Sequence, residues 1–292
     1  MMIPDEIRKC VGFLQYKGNN QEIYFAGTFF FVAVPLPGTE RAVAHAVTAR
    51  HVIEGIRAHD QRIHLRLNHP EHGAGIIDAM DVDDWYFHPN DDTVDVAVSK
   101  PWFWEESDHR AYQIGGFIDD EFIVRERIGI GDETFIVGLF PMHPGKQKNI
   151  PIARVGNIAA MPEEPVTVTT LYWTDKTEME GYLIEARSIG GLSGSPVFAH
   201  LGMMRNIDGE LRFNNIPGGA FFLLGLVHGH WNLPISELDA TAQDRTQDRI
   251  NTGIAIVVPA KKILEVINQP KLKEMRDQIL MEIIKTDSAN HG

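Results

Sequence analysis

The chain has 292 residues, which is enough for one large domain or for two packed halves with a substantial core. Its apolar fraction of 43% and charged fraction of 23% are ordinary for a globular protein. The formal net charge is −13, and because an acidic surface repels phosphate backbones, nucleic acid is not an expected partner.

The N-terminal region carries no targeting signal that the sequence makes visible. Residues 1–16 lack a basic start followed by an apolar core, and the longest apolar block, 24–38, is interrupted by Gly and Pro. Cys10 is the only cysteine, so no disulfide framework can form. It reads as a small buried residue at an early strand. We therefore expect a soluble cytoplasmic protein without a membrane partner.

Most of the chain shows the alternation and spacing of short β-strands. Two β-rich runs flank "KGNN" (17–20) and predict a hairpin. Further strand patterns follow at 41–55, 62–67, 93–100, 133–141, 153–161, 166–173, 181–188, 195–200, 220–231 and 252–260. Many short strands separated by turn residues predict an all-β barrel or sandwich.

Helical periodicity is confined to the C-terminal region. Apolar residues recur at helical spacing after Pro259, and Pro270 is expected to divide the segment into two helices. The polar stretch 236–251 reads as a surface loop or a short exposed helix. The second helical half has more apolar surface than a solvated tail needs, which suggests self-association or partner docking.

Three residues in the strand-rich region have the chemistry of a serine hydrolase. His51 follows an apolar strand, at the start of a turn or short helix, and Asp95 lies in an alternating apolar run where burial is costly unless the carboxylate is paired. Ser193 lies in "GGLSGSPV" (190–197). A hydroxyl, an imidazole that takes its proton and a carboxylate that orients the imidazole form a catalytic triad.

Glycines around Ser193 fit this chemistry. Gly191, two positions earlier, permits an unusual backbone that turns its N–H inward, toward an oxyanion. Gly194 would leave room for a substrate chain, and Pro196 can start an outgoing strand because that position needs no hydrogen-bond donor.

Three segments, "TARHV" (48–52), "DVAV" (95–98) and "GLSGSPV" (191–197), resemble the signature segments of chymotrypsin-like serine peptidases. The form is closer to the bacterial trypsin-like and HtrA-like branch than to the digestive enzymes, without a PDZ-like stretch. Segments 134–159 and 251–267 are similar to the start of the second barrel and to the closing helix of that branch.

The resemblance implies an all-β fold of two six-stranded antiparallel barrels. The first (1–115) would carry His51 and Asp95, the second (116–259) Ser193, and a helical segment (260–292) would follow. It implies a serine endopeptidase acting on protein or peptide substrates through an acyl-enzyme, with no cofactor and no metal.

In this family His51 would be general base and then general acid, Asp95 would orient it, and the N–H groups of Gly191 and Ser193 would form the oxyanion hole. Leu192 stands where zymogen-activated members have an Asp, so activation by insertion of a freed N-terminus is not expected. What holds this loop in place stays open.

Other assignments compete for the same roles. Ser188 and Ser195 are the other hydroxyls of the loop, and the G-x-S-G-x-P pattern selects Ser193 over both. Asp91 and Asp92 compete with Asp95 but lie in a turn-like stretch, where solvated carboxylates are usual. An α/β-hydrolase elbow needs glycine two positions after the nucleophile, followed by a helix, and neither is found.

Several histidines outside the three signature segments have other candidate roles. His45 lies within a strand, and a structural role is favoured. His69, Glu71 and His72 could bind a metal, but "NHPEHG" (68–73) fits a polar hairpin loop better.

Substrate-binding candidates are His228, Gly229 and His230 on the strand after the nucleophile, and Arg187 before it. The two histidines and Arg187 would suit an acidic P1 side chain, whereas Glu185 would neutralise Arg187 or suit a basic one. Alternatively, one of the two histidines faces the core and the other faces solvent. The alternative function is a conditionally active or non-catalytic peptide-binding sensor that a partner switches.

Overall fold

The computed structural model describes residues 2–69, 71, 73–102, 108–168, 176–186, 191–213, 220–234 and 249–290. The strands of this part of the chain are β1 Val11–Lys17, β2 Ile23–Pro35, β3 Ala42–Thr48, β4 Arg62–His69, β5 Gly73–Asp81, β6 Trp85–Phe87, β7 Ala97–Ser99, β8 Tyr112–Gln113, β9 Glu133–Gly138, β10 Ile152–Ala160, β11 Val166–Val168, β12 Thr177–Met179, β13 Tyr182–Glu185, β14 Pro196–Leu201, β15 Met204–Ile207, β16 Glu210–Phe213, β17 Ala220–Pro234 and β18 Arg249–Pro259. The helices are α1 Asp5–Lys9, α2 Arg50–Arg57, α3 Asp120–Glu126, α4 Ala260–Ile267 and α5 Pro270–Asn290, and 3₁₀ turns cover Val82–Asp84 and Ile114–Gly116.

The N-terminal strands form one eight-stranded sheet, in the order β5-β4-β1-β2-β3-β7-β6, with β8 beside β2. The hairpin predicted around "KGNN" is confirmed, because β1 and β2 pair antiparallel across it. Residues 29–34 of β2 are buried on both faces, which makes this strand the centre of the first core. The sheet forms a half-barrel.

The C-terminal strands close a six-stranded antiparallel barrel, in the order β10-β13-β18-β17-β14-β9. The expectation of a mostly β fold is therefore confirmed, and one of the two expected barrels is present. Within the described residues no pairing joins β5 to β6, so a second closed barrel is not shown. The short strands β6 and β7, of three residues each, limit the ladder at that edge. The boundaries between domains stay a prediction.

The two C-terminal helices are divided at the predicted proline. Helix α4 ends at Ile267 and α5 begins at Pro270. Leu272 and Ile283 of α5 are buried against the protein, whereas Met281 and Ile284 are exposed. Part of the apolar surface that suggested docking is thus used for intramolecular packing. No helix in the described part of the chain is both long and apolar enough to cross a membrane.

A buried arginine fastens α5 to the first sheet. Arg276 Nη1 donates to the carbonyl of Ile267 at 2.9 Å and to His45 Nε2 at 3.2 Å. His45 is fully buried, and its Nδ1 donates to the carbonyl of Ser99 at 2.7 Å. Burial lowers the pKa of His45 to about 4, so the ring is neutral at pH 7 and its Nε2 can accept a hydrogen bond. The structural role favoured for His45 agrees with these contacts.

Replacing Arg276 with methionine, which keeps an unbranched stem but removes the guanidinium, should lower the free energy of unfolding by about 2–3 kcal/mol, because two buried acceptors lose their donor. Urea denaturation measures this loss. Arg41→Met is the matched control, since Arg41 meets α5 through an exposed pair with Asp287, and a change below about 0.5 kcal/mol is expected there. Equal losses in the two variants would contradict the anchor.

Candidate active site

Asp95 is the centre of the candidate site. It lies just before β7, in a segment that belongs to no strand or helix, and it is fully buried. Its Oδ1 accepts the backbone N–H of His51 at 2.9 Å. Its Oδ2 accepts from two imidazoles, His51 Nδ1 at 2.7 Å and His228 Nδ1 at 2.5 Å. A buried carboxylate is tolerated because its oxygens are paired in this way.

His51 lies in the first turn of α2, which begins directly after β3 and the linking residue Ala49. Its backbone N–H is one of the helix-terminal donors that have no intrahelical partner, and Asp95 satisfies it. The same carboxylate fixes the ring through Nδ1. In the neutral ring the proton therefore lies on Nδ1, and the Nε2 lone pair is available to act as a base.

The charges of the cluster determine its protonation. Burial alone would lower the pKa of His51, but the charge of Asp95, its hydrogen bond and the charge of Glu54 raise it above the ordinary 6.5. Burial alone would raise the pKa of Asp95, but the charges and hydrogen bonds of His51 and His228 hold it well below its usual range. Asp95 is therefore a carboxylate anion at neutral pH.

Ser193 lies on the loop that leads into β14 and is partly exposed. Its Oγ donates to the main-chain carbonyl of His228 at 3.2 Å. In the described part of the chain, Ser193 makes no hydrogen bond with the imidazole of His51. His228 thus contacts Asp95 through its side chain and Ser193 through its backbone, and its ring packs edge-on against His51 at a centroid distance of 5.3 Å.

Thr28, in the first sheet, holds the serine loop by two hydrogen bonds and accepts a third from Leu139. Its Oγ1 donates to the carbonyl of Gly191 and accepts the N–H of Leu139, both at 2.9 Å. Its N–H donates to the carbonyl of Ser193 at 3.0 Å. Both loop carbonyls are therefore directed at Thr28 of β2.

Leu192 holds the serine loop in place from the barrel side. Its side chain is fully buried in the core of the closed barrel. Its carbonyl accepts the N–H of Ser195 at 2.9 Å, so the N–H of Ser193, in the same peptide unit, points the other way. Among the described residues, no hydrogen bond uses the N–H of Gly191 or of Ser193.

Glycine is required at positions 191 and 194 by the backbone conformation and by close contacts with the protein, rather than by space for a substrate. Gly191 has φ of +94°, and a Cβ there would lie 2.6 Å from Pro141 Cγ. Gly194 has φ of +80°, and a Cβ would lie 2.1 Å from Thr48 Oγ1 and 2.3 Å from the carbonyl of Thr28. The space beside Gly194, expected to serve a substrate, is occupied by β2 and β3.

The other substrate-binding candidates lie on β17 and before Ser193. The space beside Gly229 is open, because a Cβ there would meet no atom within 4 Å. His230 is half-buried, and burial lowers its pKa. The assignment of His228, Gly229 and His230 to substrate binding stays a prediction, and Arg187 lies outside the described residues.

The contact between His228 and Asp95 was missed by sequence reasoning. A regular alternation over "GLVHGHW" would place His228 and His230 on one face of the strand, and no motif connects either of them with position 95. The contact between His228 and Asp95 depends on the fold, because it requires the pairing of β17 with its neighbouring strands.

The competing residues have other contacts. Asp91 Oδ1 accepts from the N–H and the hydroxyl of Thr93, and Asp92 pairs with Arg50 at the surface. Cys10 is buried, its Sγ donates to the carbonyl of Ile7, and burial raises its pKa to about 12, which opposes a nucleophilic thiolate. Ser188 and His72 lie outside the described residues.

The three-residue cluster also has the composition of a metal site, since ligand atoms of His51, Asp95 and His228 all lie within 4.8 Å of one another. Neighbouring ligand atoms of a tetrahedral zinc site are about 3.3 Å apart, which follows from bonds of about 2.0–2.1 Å. The contacts of 2.7 and 2.5 Å are shorter and fit N–H···O hydrogen bonds. A metal ion would have to separate these pairs and displace both Nδ1 protons.

A scan of the chain against models of known protein families finds no match. A search among curated proteins likewise finds no significant match.

Replacing Thr28 with valine, which has the same shape, should lower the free energy of unfolding by about 2–3 kcal/mol, because the buried N–H of Leu139 and the carbonyl of Gly191 lose their partner. Thr28→Ser keeps the hydroxyl and should cost about 1 kcal/mol, for one buried methyl group. Urea denaturation compares the two. A valine variant as stable as the serine variant would refute the role of the hydroxyl.

The imidazole of His51 should titrate above pH 6.5, and Asp95→Asn should shift its midpoint downward. Because the folded pKa is raised, the stabilisation from this pair is fully present below pH 6.5 and is lost as the pH rises through the folded pKa. NMR of histidine ring carbons measures the midpoint. His230 is the internal control, since its pKa is lowered. A midpoint for His51 at or below 6.5 would exclude the coupling.

Proposed function

We propose that this chain is a serine endopeptidase of the chymotrypsin-like type, with Ser193 as nucleophile, His51 as base and Asp95 as the orienting carboxylate. The observation that carries the proposal is the pair of hydrogen bonds between Asp95 and His51, which leaves Nε2 of that imidazole without a hydrogen-bond partner among the described residues. The resemblance of the three segments around these residues to the family's signature segments supports it independently.

The proposed reaction has two stages. Ser193 Oγ attacks the carbonyl carbon of a peptide bond while its proton passes to His51 Nε2, and the imidazolium that forms is stabilised by the anion of Asp95. His51 then gives this proton to the leaving amine as the C–N bond breaks, which leaves an acyl-enzyme. A water molecule, deprotonated by His51, attacks the ester carbonyl, and the acid product and the free hydroxyl are released.

The tetrahedral intermediates of both stages carry an oxyanion. We assign its stabilisation to the N–H groups of Gly191 and Ser193, for which no described residue provides a hydrogen-bond acceptor. Thr28 turns the loop carbonyls toward β2, and the buried side chain of Leu192 fixes the residue between the two donors. Donors fixed in this way before the reaction need little reorganisation in the transition state.

A depression beside His51 supports a peptide substrate. It has a volume of about 270 Å³, and Tyr16, Phe25, Val52 and Ile56 are among the residues that line it with His51. An apolar or aromatic side chain fits such a lining.

The hydroxyl of Ser193 favours a second candidate, a peptidase that a partner or substrate activates. It donates to the carbonyl of His228 and must rotate before it can donate to His51. A main-chain N–H of a bound peptide that pairs with β17 would compete for this carbonyl and release the hydroxyl. The same step could depend on a partner protein.

A fluorophosphonate probe, which reacts with activated serines, separates these functions. Labelling of the pure wild-type protein, absent in Ser193→Ala, supports a constitutive enzyme, and labelling only after addition of a peptide or a cell extract supports a switched one. Ser193→Ala and His51→Ala should each lower kcat by about 10⁴–10⁶-fold on a peptide library. No labelling of the wild type under any of these conditions would refute the catalytic proposal.

A further inference from the structure

His228 occupies an irregular position in the closed barrel. Val227 pairs with Val257 and Gly229 with Ile256, so His228 is the extra residue of a β-bulge between β17 and β18. On the other edge of β17, pairing with β14 ends near the same point, where Val227 exchanges hydrogen bonds with Gly194 and Ser195. A bulge re-aims one side chain, and here it directs an imidazole out of the barrel and onto a carboxylate of the first sheet.

The carboxylate of Asp95 consequently receives a donor from each half of the protein. His51 belongs to α2 and to the first half, whereas His228 belongs to the barrel. Both Nδ1 atoms meet the same oxygen, Oδ2, and His228 is only 6% exposed. The charged groups around this contact are His51 and Asp95 themselves, together with Glu54, whose charge acts on His51.

We propose that His228 is a positioning residue, whose imidazole holds the Asp95 carboxylate in the orientation that His51 requires while its carbonyl holds the resting hydroxyl of Ser193. This role rests on the proposed function and deepens it. Two Nδ1–H donors on one oxygen hold the carboxylate in its plane more firmly than one donor does. Because a hydrogen bond to a buried anion is strong, it also holds the bulged residue, and with it the main-chain carbonyl of His228, in place.

The role predicts a specific tautomer. Since Oδ2 of an ionised Asp95 can only accept, His228 must carry its proton on Nδ1, as His51 does. His228 is thus a donor to the carboxylate and takes no proton from Ser193. Loss of the donor should weaken the orientation of His51, which affects the chemical step, and should leave substrate binding nearly unchanged.

Two substitutions separate the donor from the packing of the ring. His228→Asn keeps an N–H donor near the position of Nδ1, whereas His228→Leu fills similar space without a donor. The leucine variant should lose roughly 10–100-fold in kcat, the range for a partner that orients a reacting group, with KM changed less than about threefold. The asparagine variant should recover most of this loss.

His200→Leu is the matched control, because it removes a partly buried barrel histidine whose Nδ1 also meets a carboxylate, that of Glu133, outside the candidate site, and it should leave kcat nearly unchanged. Thermal melts show whether each variant is folded, and the comparison of the asparagine and leucine variants is made between folded proteins. Equal kcat in the wild-type protein and a folded leucine variant would overturn the proposal, and so would an asparagine variant no better than leucine.

A spectroscopic measurement tests the contact without activity. With ¹⁵N-labelled histidine, the wild-type protein should show a low-field Nδ1–H proton resonance for each of His51, His228 and His200, whose Nδ1 atoms all meet a carboxylate, and each of the His228 variants should lack the His228 resonance. A wild-type spectrum from which the substitution of His228 removes no such resonance would overturn the contact. Failure of fluorophosphonate labelling in the wild type would instead refute the proposed function, and the catalytic role of His228 with it, whatever the number of these resonances.

Discussion

The buried carboxylate of Asp95 is the interaction on which the site depends. An unpaired charge at a position with no solvent exposure would cost several kcal/mol, so the fold must bring donors to it. Three donors reach it, the N–H and the ring of His51 and the ring of His228. Since those donors come from both halves of the chain, satisfying one carboxylate also fixes how the first sheet and the barrel meet.

Thr28 complements this contact from the other side of the loop. It belongs to β2, the central strand of the first core, and it holds the carbonyls of Gly191 and Ser193 in the barrel half. The loop of Ser193 is thus attached to the half that carries His51 and Asp95, while the apolar side chain of Leu192 is buried in the barrel. The burial of Leu192 therefore anchors this loop to the barrel as well.

Chain-local features were predicted well because each rests on nearby residues. The β-hairpin around "KGNN", the helical start at His51 and the division at Pro270 all follow from turn residues, alternation and the geometry of proline. Closure of the first sheet was expected and is not shown among the described residues, because closure depends on the pairing of distant edge strands. Local alternation carries no information about that pairing.

The sequence by itself determined the candidate site residues, His51, Asp95 and Ser193, and the glycines at positions 191 and 194. Only the tertiary structure decided that His228 meets Asp95, that Thr28 holds the loop and that the hydroxyl of Ser193 rests on a carbonyl. These contacts join residues 35 to 163 positions apart. Their geometry is set by a bulge and by the meeting of two sheets, neither of which leaves a periodic signal in the chain.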